Sequence, residues 1–87
     1  MSAFNGLIVQ DGDDNIVVQF KHGELWQHVY KLGDAVVGAG SGYVTVPGLA
    51  KFGDYWKYYS IELIDGKIEG VKVISEADYD ALVGVAG

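Results

Sequence analysis

The residues in this chain that could do chemistry fall into four groups, and each has a specific geometric requirement. Asp11-Gly12-Asp13-Asp14-Asn15 places side-chain oxygens at the first, third and fifth positions of a would-be calcium loop. The pattern then breaks. Ile16 stands where the sharp turn needs glycine, and His22 stands where a bidentate glutamate belongs. A hairpin turn accounts for the same residues. Gly38-Ala39-Gly40-Ser41-Gly42 has the glycine density of a phosphate-binding loop. Such loops present N–H groups at the start of a helix. Here Tyr43-Val44-Thr45-Val46 follows, a β-branched run that predicts a strand, and no Lys-Ser/Thr pair comes after the glycines.

His22 and His28 are the only histidines, and their spacing matches no zinc motif. The serines are Ser2, Ser41, Ser60 and Ser75, with no nucleophile elbow around any of them. Cysteine is absent, so thiolate chemistry, disulfides and iron–sulfur ligation are excluded. These observations point to a protein that is not an enzyme and needs no cofactor or metal.

One pattern rises above background. Trp26, Tyr30, Tyr43, Phe52, Tyr55, Trp56, Tyr58 and Tyr59 crowd one stretch of the chain. In a strand from Tyr55 onward, Tyr55, Tyr59, Ile61 and Leu63 share the apolar face expected to enter the core. Trp56, Tyr58, Ser60 and Glu62 share the other, which turns polar and should face water. Tryptophan and tyrosine on a wet face are the residues that interfaces favour, because they bring large area, few rotors and a polar tip. The candidate binding residues are therefore Trp26, Tyr30, Trp56 and Tyr58, with Asp54 and Glu62 at the rim.

Charge narrows the partners. Twelve carboxylates against six basic residues leave a net −6. The basic residues are Lys21, Lys31, Lys51, Lys57, Lys67 and Lys72, spread singly and with no arginine among them. Phosphate backbones and anionic membranes need clustered cations, so neither direct nucleic-acid binding nor membrane binding is expected. A protein partner with a basic surface is attracted by the net charge. No apolar run approaches the roughly 20 residues of a membrane-spanning helix, and a soluble, cytoplasmic protein is expected.

The elements that must position these residues are short. The segments 4–10 and 16–20 alternate around the acidic turn and predict a hairpin. The stretch 25–32 alternates with Trp26, His28, Tyr30 and Leu32 on one face. Ala35-Val36-Val37 predicts a short strand, and Pro47-Gly48 predicts the end of the strand begun at Tyr43. Residues 49–54 fit either a loop or a helical turn. The run 55–64, Asp65-Gly66 and the run 67–74 predict a second hairpin, with Gly70 as a candidate bulge. Ser75 is a helix N-cap, with Asp78 placed to close a capping box and Ile74 and Tyr79 placed to form a staple. A helix over 76–83 is expected, with Gly84 at its C-terminal cap. It should dock through Tyr79, Leu82 and Val83, since so short a helix is unstable alone.

At 87 residues the chain makes one domain, 1–87, with a single modest core. The predicted class is mainly β: a small antiparallel barrel or sandwich, partly open and SH3-like or OB-like, of about five to seven short strands with one short C-terminal α-helix. The strand-to-capped-helix ending Ile74-Ser75-Glu76-Ala77-Asp78-Tyr79-Asp80-Ala81-Leu82 resembles those of small proteins encoded by bacteriophages. That resemblance implies an accessory or inhibitor protein and transfers no functional residue. The expected function is a non-enzymatic acidic binding module that docks an aromatic-rich sheet face on a larger protein. The alternatives are a structural homo-oligomer or assembly subunit, an acidic mimic of DNA, and a small-ligand pocket in a barrel mouth.

Overall fold

The computed structural model describes residues 4–24 and 27–86. Six strands, β1 (Asn5–Asp11), β2 (Asp14–Phe20), β3 (Val29–Lys31), β4 (Tyr43–Phe52), β5 (Tyr55–Ile64) and β6 (Lys67–Ile74), precede one helix, α1 (Glu76–Ala86). The strands form one sheet in the order β3-β1-β2-β4-β5-β6. The sheet curls into an open half-barrel, and the helix follows its last strand. No described helix is long and apolar enough to cross a membrane.

Three two-residue turns build the hairpins. Gly12-Asp13 joins β1 to β2, with Gly12 at φ +63° in the left-handed region that such turns require. Asp65-Gly66 joins β5 to β6, with φ +51° and +81°, the doubly positive pattern of a type I′ turn. The third, Gly53-Asp54, joins β4 to β5 and settles the 49–54 segment as strand and turn. The β5–β6 register shifts where Glu62 faces Gly70 and Leu63 faces Ile68. The predicted bulge therefore lies at Glu69–Gly70, and it returns Val71 to the inner face opposite Ile61.

Pro47-Gly48 does not stop β4. Pro47 pairs with Ser60 and Gly48 with Tyr59, so the strand runs through both. The β2 ladder covers only Leu49 and Gly48 of β4, leaving Pro47 just beyond it, in the edge-like position where a strand tolerates proline. Gly48 serves packing rather than turning. A β-carbon there would lie 2.6 Å from Val18 Cγ1 and 3.1 Å from Ile61 Cδ1. Its missing side chain lets β2 cross β4 and lets Val18 meet Ile61.

The inner face of the curled sheet is the core. Leu7, Val18, Ile61, Leu63 and Ile68 are sealed there, each contributing about 1.5–3 kcal/mol by burial. Val36 and Ala39 reach the same cluster from the loop after β3. That loop holds no strand, only an isolated bridge between Ala35 and Lys67. Around it, Gly33 N–H donates to Ile68 O, Ile68 N–H to Asp34 O, and Val36 N–H to Gly66 O. These bonds close one end of the half-barrel.

Of the predicted 25–32 strand the described residues show Val29–Lys31, which pairs with β1 in parallel rather than antiparallel fashion. Tyr30 faces inward and is buried. Leu32 lies past the strand end and is exposed, because the chain turns at Gly33 before the alternation can bring it inside. Asn5, itself fully buried, ties this region down. Its Nδ2 donates to the carbonyls of His22 and Glu24, both at 3.0 Å, and its Oδ1 accepts from the His28 N–H at 3.2 Å.

Ser75 caps α1 as predicted, its Oγ accepting from the Asp78 N–H at 3.1 Å. The helix runs past Gly84 to Ala86. It packs on β4 and β5. Tyr79 and Leu82 are half-buried while Val83 is exposed, so docking uses two of the three expected side chains.

Two substitutions probe these joints by urea denaturation. Asn5→Ala should cost about 2–4 kcal/mol, because it empties a fully buried site and leaves three part-buried backbone groups without partners. Gly48→Ala should cost about 1–3 kcal/mol by driving Val18 and Ile61 apart. A change under about 0.5 kcal/mol at either site contradicts its assigned role.

Candidate functional site

The described aromatic residues do not form one continuous face. Trp26 lies outside the described residues. Tyr30 is a correction to the expected site: it belongs to the core, its ring 6.1 Å from Phe20 and its hydroxyl accepting from the Val37 N–H at 3.1 Å. Alternation put it beside His28, and only His28, the partner at 5.8 Å, stays exposed at the rim. Tyr30 therefore cannot anchor a partner without unfolding β3.

Tyr58 faces outward as expected, but α1 lies against it. Its ring sits 4.9 Å from Tyr79, and its hydroxyl donates to Glu76 Oε2 at 3.0 Å. That hydrogen bond holds the phenol pKa above its ordinary 10, assisted by partial burial and by the charges of Glu76 and Asp80. Glu62 stands farther along β5, where it accepts from the Tyr43 hydroxyl at 2.9 Å. Six residues of extended strand, about 20 Å, separate it from Trp56. It does not rim the same patch.

What remains is the tip of the β4–β5 hairpin. Phe52 and Tyr55 close the ladder as its last pair, and their rings stack on the inner side, 5.8 Å apart and 17° from parallel. Tyr55 was expected in the core. It is 58% exposed, because β2 pairs with β4 no farther up than Leu49 and no described residue roofs the tip. Trp56 pairs with Lys51 on the outer side and is 44% exposed, on the wet face where the alternation places it. Lys51 Nζ lies 5.7 Å from the centroid of the Trp56 ring, and Lys57 Nζ lies 4.9 Å from that of Phe52. Asp54, in the turn between them, is exposed. The tip is therefore a tab with rings on both sides and a cation against each.

Phe52, Lys51 and Lys57 were missed as site residues. Gly53-Asp54 between Phe52 and Tyr55 is a hairpin signal, and it places these side chains together. The Pro47-Gly48 pair, which locally reads as a strand's end, masks that signal. The other chemical candidates resolve as structure. The acidic loop is the β1–β2 turn, and Gly42 N–H donates to Asp65 Oδ1 at 2.9 Å across the base of the glycine loop. Among the described residues, no three His, Asp or Glu side chains converge on a metal-sized site.

The Tyr58–Glu76 bond carries a pH prediction. A phenol whose folded pKa is raised contributes its stability below pH 10 and loses it as pH climbs through the folded value. The phenolate absorbance lost in Tyr58→Phe should appear only above pH 10, and Glu76→Gln should bring it down toward 10. An unmoved titration in Glu76→Gln rules out the carboxylate as the cause.

No family model, no curated protein and no solved structure is significantly similar to this chain, so its function has to be argued from its own residues.

Proposed function

We propose that the chain is a non-enzymatic binding module, an accessory or inhibitor protein of the cytoplasm that docks on a larger protein through the tip of the β4–β5 hairpin. The observation that carries this reading is the exposure of Tyr55 and Trp56, at 58% and 44%, on adjacent positions of a two-residue hairpin. Rings held on a short ladder lose little freedom on binding, so their burial goes largely into affinity. The described charged groups of the tip are Lys51, Asp54 and Lys57.

A second reading, self-association, is supported by a different surface. On the outer face of β1, β2 and β3, Ile8 pairs with Val17, and Val29 lies beside Gly6. Val17 is 50% and Val29 62% exposed, so this face offers apolar area to a second copy. Sedimentation separates the readings: a monomer at all concentrations removes self-association.

Affinity capture with wild type and with Trp56→Ala tests the docking reading. The variant should retain its partner at least tenfold less well, while its melting temperature stays within about 2 °C of wild type. Equal retention, or a large fall in melting temperature, defeats the assignment of Trp56 to a docking surface.

A further inference from the structure

The two lysines of the tip are not paired with carboxylates. Lys57 stands 4.9 Å from the centre of the Phe52 ring and Lys51 stands 5.7 Å from that of Trp56. Among the described residues neither makes an ion pair, in a chain that carries twelve carboxylates. A ring face attracts an ammonium group without neutralising it. Both charges therefore remain available to an incoming anion, and the rings hold the long lysine stems near one place, which lowers the entropy lost on pairing. Between Lys51 and Lys57 the only acid is Asp54, so this segment carries a net +1 on a chain of net −6, and the next acids on the outer face are Glu76 and Asp80, at Tyr58.

We propose that the partner docked by the β4–β5 tip presents a short acidic segment with an apolar anchor. This rests on the docking reading above and names the chemistry of its partner. The net charge of −6 favours a basic partner at long range. At contact distance the arrangement is reversed. The anchor packs on the Trp56 ring, and flanking carboxylates reach Lys51 beside it on the outer side and Lys57 across the tip on the inner side.

The segment must be short. β1 and β4 point the same way in the sheet, so the Gly12-Asp13 turn stands at the same end as the tip. Asp13 and Asp14 are exposed there and repel any long polyanion. That repulsion, with two lysines and no arginine, favours an acidic peptide over single-stranded nucleic acid, which uses similar rings but needs a continuous basic groove.

A random dodecapeptide display library panned on the intact protein tests the proposal. Recovered peptides should carry several-fold more Asp and Glu than the input library. The Lys51→Gln/Lys57→Gln double variant should recover them about tenfold less well, at an unchanged melting temperature, and added salt should weaken binding. Peptides that are neutral or basic overturn the acidic assignment. So does recovery that survives the double variant but vanishes in Trp56→Ala, and in that case the docking surface stands. Recovery indifferent to Trp56→Ala, or no recovery at all, defeats both. Tight binding of a twelve-nucleotide oligothymidylate would put single-stranded nucleic acid in the peptide's place. A concentration-dependent dimer lost in the double variant would put a second copy there. Either result overturns the proposal.

Discussion

Two narrow joints hold this sheet in its curled form, and the core exists only because both close. At the first, Gln19 and Phe20 of β2 pair with Leu49 and Gly48 of β4. At the second, residues 33–36 meet the start of β6 through three backbone hydrogen bonds. The first depends on an absent atom, since a β-carbon on Gly48 would lie only 2.6 Å from Val18 Cγ1. The second is held from behind by Asn5, which spends both donors and its acceptor on the 22–28 stretch. A domain of this size has few kilocalories to spare. Sealing Leu7, Val18 and Ile61 between the two halves therefore needs the halves to touch closely.

The tip of the β4–β5 hairpin is exposed for the same reason. Because β2 leaves β4 after two pairs, the last residues of β4 and the first of β5 extend beyond the part of the sheet that curls over itself. Tyr55 alternates onto the inner side, yet there is little interior left at that height. Farther down the same strand, Tyr59, Ile61 and Leu63 meet a filled core and are buried. Burial along β5 thus changes with distance from the joint as well as with face.

Much of this was legible in the sequence. The Asp65-Gly66 hairpin, the span of β5, the bulge at Gly70 and the Ser75 cap all follow from local patterns, because a turn or cap is chosen by the residues that form it. The fold class followed from their sum. What the sequence could not disclose depends on distant partners. Pro47-Gly48 carries the local grammar of a stop, and only Val18, far back in the chain, explains why glycine sits inside a strand. Tyr30 and Trp56 look alike as aromatic members of alternating runs. One lies opposite Leu7 on a strand that the chain folds under, and the other lies on a free tip. The pairing of lysines with rings was hidden for a related reason: composition reports the sum of the charges and says nothing about which of them lack an opposite neighbour.

The order of the strands also bears on how the chain reaches its fold. β4, β5 and β6 are joined by two-residue turns, so their ladders form between neighbours and cost little loop entropy. The contacts that dock the first half onto these three strands, from Phe20 on Gly48 to Asp34 on Ile68, span a long stretch of chain. During synthesis the N-terminal hairpin emerges first and must wait for its platform. The apolar side of β1 and β2 stays uncovered until β6 has left the ribosome, so the early half of the chain is the part most open to misassociation during synthesis.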